Sequence, residues 1–254
     1  MNTNRINNGL LRHLAKSAPE VFAHVADELE PVPLDRWARL CGAHERHRWV
    51  YFPDSGVVSL VGATAEGESV QIAFVGNEGV AGIADALGIQ SMPFGLIVQL
   101  PGLAYRLPST VAKQHVFSCT ALHDLLMAHA QSMIIQLAQS AICNRFHTAV
   151  QRLSRWLFLT SGRAKSDRFE LTHDFVAEMV GGPRTAVSQA AATLRRLGII
   201  DYERGVMIIR NRTQLHRMAC ECADAVSSVV RSDGAGATSP ARRSPRRARA
   251  TKSR

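Results

Sequence analysis

The residues best suited to do chemistry lie between 170 and 210. Thr172 is a good helix N-cap, with Asp174 in the first turn. Phe175, Val176, Met179 and Val180 give one apolar face of a two-turn helix. Gly181-Gly182 supplies a tight turn, and Pro183 suits the start of a second helix. Val187, Ala190, Ala191 and Leu194 then recur at i, i+3, i+4 and i+7, and Gly198 ends the run. Short helix, glycine turn and second helix is helix-turn-helix punctuation. With the core centred on those four residues, Thr185, Gln189 and Arg196 point away from it. Ser188 and Arg195 lie to one side, and Arg184 reaches past the helix start. Arg and Gln make bidentate contacts to guanine and adenine edges, and Ser and Thr suit phosphates or bases. Ile199–Tyr202 and Val206–Ile209 flank Glu203-Arg204-Gly205, a hairpin wing whose Arg204 and Arg210 suit a phosphate backbone. The competing reading of the second helix is an ordinary solvated face.

Other candidates carry less. His44-Glu45-Arg46-His47 misses the zinc-protease spacing, because position 48 is Arg and not His. Cys220-Glu221-Cys222 supplies only two of the four ligands of a structural zinc, so incidental thiols and no metal site are expected. No nucleophile–base pair supports an enzyme.

The elements that must hold this face read as follows. Residues 5–30 are short helices, ended by Pro31 and Pro33. Val50–Phe52, Val57–Val61 and Ser69–Val75 are strand-like runs between turn residues, and Leu96–Leu100 and Leu103–Leu107 flank Pro101-Gly102. These predict an antiparallel β-roll. From Ala121 to His147 there is no Gly or Pro, so one helix of about 40 Å is expected. Leu126, Ala130, Met133, Leu137 and Ala141 form a stripe that Leu122, Leu125, Ile134, Ile135, Ala138 and Ile142 widen. Such a surface exceeds what one roll covers, and a second copy of the helix is expected on it. His123 and His129 are expected at the surface or the interface. Helix continues over Val150–Leu159 until Ser161-Gly162, and 163–168 is read as loop.

The chain has 254 residues and a net charge of +9. Residues 232–254 hold +6 of that and contain no Val, Ile, Leu or aromatic residue, which predicts a disordered, polyanion-seeking tail. Between Arg48 and Arg106 there is no Lys, Arg or His, so a pocket built there lacks a cation for an anionic ligand. No apolar run is long enough for a membrane span, and the polar start is unlike a secretory signal. Five scattered cysteines fit a reducing cytoplasm better than a disulfide framework.

Three segments together resemble the Crp/Fnr family of bacterial transcription regulators: Val50–Leu60, Ala141–His147 and Leu171–Gly198. The resemblance spans roughly residues 8–222. It implies an α+β chain with N-terminal helices and a cyclic-nucleotide-binding-like roll over 1–120. A dimerisation helix over 121–147 follows, then a winged helix-turn-helix over 148–222 and an extension over 223–254. It also implies a homodimer at the nucleoid, bound to double-stranded DNA and to RNA polymerase. Arg184 matches the family's frequent Arg at the start of the reading helix, whereas Thr185 and Gln189 replace the Glu and Arg of cAMP-responsive members. The family's ribose turn, Gly-Glu-Leu, reads here Gly79-Val80-Ala81-Gly82 with the acid displaced to Glu78. Its phosphate-binding Arg pair reads Pro93-Phe94-Gly95. The effector is therefore unknown and not expected to be cAMP, and no cofactor is implied. An iron–sulfur mode is disfavoured, since only Cys41 precedes residue 119. The alternative is a small-molecule sensor acting through protein contacts.

Overall fold

A computed structural model describes residues 6–89 and 91–233; the basic stretch beyond Asp233 lies outside the described residues. Two short helices, α1 (Gly9–Ser17) and α2 (Pro19–Glu28), open the chain. The Asn8 side chain caps α1 by accepting from the Leu11 amide, and Leu10, Leu11 and Leu14 are buried. Ten strands and seven further helices follow among the described residues.

The roll is two antiparallel sheets. One has the order β1 (Glu30–Leu34), β7 (Gly102–Pro108), β3 (Trp49–Pro53). The other runs β2 (Arg39–Cys41), β6 (Phe94–Leu100), β4 (Val57–Ala63), β5 (Ser69–Val75). Leu34, Tyr51, Val58, Leu60, Val75, Leu96 and Val98 fill the space between them. β4 is buried from Val57 to Val61. Its second face, Val57 and Val61, belongs to a core shared with the C-terminal domain. Pro31 and Pro33 end the helices as expected, yet they sit inside β1. That strand is at an edge and pairs with β7 alone, where missing amide donors cost little.

After α3 (Ser109–Ser118) comes the long helix α4 (Thr120–Phe146). Its orientation corrects the expectation from periodicity. The side turned into its own chain carries Leu122 and Leu126, but then His129, Ser132, Gln136, Ser140 and Cys143. Ile134, Ile142 and Phe146 face out, with 64%, 42% and 73% of their surface exposed. His129 is thus buried and not at the surface, whereas His123 is exposed. Met133 and Leu137 pack on the roll.

The helical path breaks at His147, and not at Ser161-Gly162. Thr148 and Gln151 form a capping box that starts α5 (Ala149–Ala164). Of the segment read as loop, 163–168, the first two residues end α5 and Arg168 opens a third wing strand, β8 (Arg168–Glu170). It pairs with β10 (Val206–Ile209), which pairs in turn with β9 (Ile200–Glu203). Between them lie α6 (His173–Val180) and α7 (Arg184–Arg196). Then come α8 (Arg212–Met218) and α9 (Cys222–Asp233), which packs along α4. Among the described residues no helix is long and apolar enough to cross a membrane.

Candidate nucleic-acid interface

The helix-turn-helix forms because small and apolar side chains coincide with one face of each helix. Phe175, Val176, Met179 and Val180 of α6 pack with Val187, Ala190, Ala191 and Leu194 of α7, over Trp156 and Leu157 of α5. Thr172 caps α6 by accepting from the Phe175 amide at 3.2 Å. Gly181 and Gly182 have φ of +74° and +118°, where other residues are strained, so the sharp turn requires glycine. Pro183 precedes α7 and no side chain caps it, which leaves its first amides for an anion.

Burying those four α7 residues turns the others outward. Arg184, Thr185 and Gln189 are exposed and Ser188 is half-buried, so these four make one polar surface over the first turns. Arg184 Nε bonds Asp174 Oδ1 at 2.9 Å, with both side chains 67% exposed. An exposed pair of this kind holds by at most about 1 kcal/mol and is readily exchanged for a nucleic-acid partner. Arg195 and Arg196 are also exposed, but roughly 16 Å further along the helix. Arg195 lies 3.3 Å from Asp201 of the wing. Arg210 bonds Asp201 at 3.3 Å and Glu203 at 2.7 Å, so it braces the wing. The Tyr202 amide, then Arg210, hold the Asp201 carboxyl below its usual range. Arg204 and Gly205 form the wing tip with φ of +49° and +83°, the pattern of a type I′ hairpin. Arg204 is exposed there.

Residues 151–218 match the family model of the Crp-like helix-turn-helix domain. That segment is a Crp-like helix-turn-helix domain. Solved structures agree in fold. FixK2 from Bradyrhizobium japonicum is 17% identical with a TM-score of 0.65, over 76% of this chain and 98% of that one. The c-di-GMP-responsive regulator CLP from Xanthomonas campestris is 12% identical with a TM-score of 0.59, over 75% and 98%. A CRP-family regulator from Thermus thermophilus is 16% identical with a TM-score of 0.59, over 74% and 96%. No curated protein matches the sequence.

The helix-turn-helix leans on the roll. The rings of Trp37 and Phe175 have centroids 3.8 Å apart, and Ser69 on β5 hydrogen-bonds Glu178 on α6. A cleft of about 810 Å³ separates the β4–β5 hairpin from the start of α7, with Glu68 and Arg184 in its walls.

A buried polar network joins the two parts, and sequence patterns gave no sign of it. Gln71 Nε2 donates to Gln99 Oε1 at 2.7 Å, and Gln99 Nε2 donates to Thr160 Oγ1 at 3.0 Å. Trp156 Nε1 donates to Gln71 Oε1 at 2.7 Å. Beside it, Arg163 of α5 bonds Glu78 at 2.6 Å and Gln136 of α4 at 3.3 Å.

The roll contains an apolar cavity of about 280 Å³ against α4, lined by Leu60, Ile83, Phe94, Leu96, Met133 and Ile134 among others. His47 is its single titratable side chain, and no Lys or Arg lines it. Glu78, the displaced acid of the ribose turn, is held by Arg163. Gly79 abuts His129, whose Cε1 a Cβ there would meet at 2.3 Å. Cys220 and Cys222, expected to be incidental, lie beside Cys143 and His147.

Proposed function

We propose that this chain is a transcription regulator of the Crp/Fnr type, a sequence-specific homodimer that reads double-stranded DNA with the first turns of α7. Arg184 and Gln189 read base edges, while Thr185 and Ser188 set the register on phosphate or base. Arg195, Arg196 and the wing's Arg204 contact phosphates. The observation that carries this reading is the polar surface of Arg184, Thr185, Ser188 and Gln189. It is presented outward by a helix whose opposite face, Val187, Ala190, Ala191 and Leu194, is buried. The outward apolar face of α4 supports the dimer, which supplies two half-sites to one duplex. We place the sensor at 1–120, the dimer helix at 121–147 and the reading domain at 148–222, working at the nucleoid in the cytoplasm with RNA polymerase as a further partner.

The cation-free, apolar cavity favours an uncharged effector over a cyclic nucleotide. Mobility shift with a random duplex pool tests the whole reading: a complex with two chains per duplex, enriching particular sequences over successive rounds, is expected. Shifted DNA that never enriches, or no shift at all, would instead favour a sensor that acts through protein contacts.

A further inference from the structure

Four metal-binding side chains from distant parts of the sequence meet at the hinge between α4 and α5. Cys143 lies in the last turn of α4, and His147 follows it by one turn as the C-cap. Cys220 lies in the link between α8 and α9, and Cys222 is the first residue of α9. The four ligand atoms all lie within 4.8 Å of one another. Cys143 Sγ is 3.5 Å from Cys220 Sγ, and Cys222 Sγ is 3.7 Å from His147 Nδ1. A tetrahedral zinc with Zn–S near 2.3 Å and Zn–N near 2.0 Å spaces neighbouring ligand atoms roughly 3.5–3.8 Å apart. Two of the six ligand–ligand distances thus match tetrahedral edges, and the other four lie within 4.8 Å. Thiolates on the separate irons of an iron–sulfur cluster need wider spacing. A disulfide needs sulfurs about 2.0 Å apart.

The surroundings fit as well. Cys143, Cys220 and Cys222 are 1%, 5% and 1% exposed, so the site excludes water. His147 points Nδ1 inward, while its Nε2 lies 3.2 Å from Glu221 Oε1. Ligating histidines characteristically hold a carboxylate on the second nitrogen, which fixes the ring and the tautomer. Three thiolates and one divalent ion leave a single negative charge.

We propose that Cys143, His147, Cys220 and Cys222 hold one structural Zn²⁺ that fastens α9 to the end of α4. Binding displaces the three thiol protons to solvent, and His147 ligates as the neutral ring through Nδ1. The closed Cys₃His set leaves no open position, so the ion has a structural role. It clamps the end of the DNA-binding part across the His147–Thr148 hinge.

The test is metal analysis of the full chain, purified without chelator after growth with zinc. About one zinc per chain is expected. Cys41→Ser and Cys119→Ser keep it, while Cys143→Ser, Cys220→Ser and Cys222→Ser lose it. Glu221→Gln should keep the site but weaken its zinc affinity roughly 10–100-fold. Should the serine variants misfold, the wild type alone decides: stripped protein titrated with Co²⁺ gives the intense visible bands of a tetrahedral thiolate site. A chain without bound metal and without those bands overturns the proposal. So does a disulfide within this cysteine trio, iron with acid-labile sulfide, or zinc lost from Cys41→Ser or Cys119→Ser.

Discussion

In the proposed function, Arg184 and Gln189 differ from Arg196 and Arg204 in what they read of the DNA. The first two stand on the leading turns of α7, beside its uncapped amides. The others lie at the far helix end and on the wing tip. Arg184→Ala and Gln189→Ala should each cost about 1–3 kcal/mol on the preferred site and relax its sequence. Arg196→Ala and Arg204→Ala should weaken preferred and random duplexes alike, with a shallower salt dependence. Titrations of both duplexes at several salt concentrations check this. Equal losses on every sequence for Arg184→Ala would mean that α7 is not the reading helix. A second residue-level effect comes from His129. Burial, opposed by its hydrogen bond to Val80, lowers its pKa from 6.5. Well above pH 6.5 it is neutral in folded and unfolded chains and makes no difference. As pH falls through that value the unfolded chain takes up the proton first, so stability declines until the lower folded pKa is passed. His47, also lowered chiefly by burial, acts with the same sign. Urea midpoints should therefore drop between about pH 7.5 and about pH 5.5, and His129→Gln should shrink that drop. Which face of α7 is exposed was legible in the sequence, because Val187, Ala190, Ala191 and Leu194 fix the rotation of the helix by their spacing alone. The pairing of Arg195 and Arg210 with Asp201 was not, since it depends on where the wing folds back.

The long helix shows where pattern reading meets its limit. Periodicity located α4 to within a residue of each end and found its apolar surface. It did not say which side faces home. The helix buries His129, Ser132, Gln136 and Ser140 against its own chain, each held by polar partners there. It turns Ile134, Ile135, Ile142 and Phe146 outward. A hydrophobic stripe identifies what must be covered and not by whom, and a second copy satisfies it equally well. β1 was missed for a related reason: two prolines read as a break, yet an edge strand tolerates them. The metal-binding cluster was missed because Cys143 and Cys220 are 77 residues apart, although the one-turn spacing of Cys143 and His147 was visible. Met133 and Leu137 touch the roll, so charging them would confuse folding with assembly. Ile134→Glu and Ile142→Glu are cleaner tests. Each places a carboxylate in the proposed seam and should convert the wild-type dimer to a folded monomer, as light scattering at micromolar concentration would show. A wild type that is monomeric there would remove the seam.

Across the whole molecule, the roll, α4 and the reading domain share buried contacts, so a change in the roll has a physical route to α7. Gln71, Gln99, Thr160 and Trp156 link the sheet to α5, and Arg163 links α5 to Glu78 beside the cavity turn. What occupies the cavity must match its apolar wall. A cyclic phosphate buried there would lack the charge-assisted pair that offsets its desolvation. Calorimetry should accordingly show no binding of cAMP or cGMP at physiological concentrations, and micromolar binding of either would refute this. The proposed function turns on two copies presenting two α7 helices to one duplex. Selection of bound DNA from a random pool by the full chain decides whether they do. An inverted pair of half-sites centred about one helical turn, roughly 34 Å, apart is expected. An enriched site without two-fold symmetry, or no enrichment over the starting pool, would be incompatible with paired α7 helices.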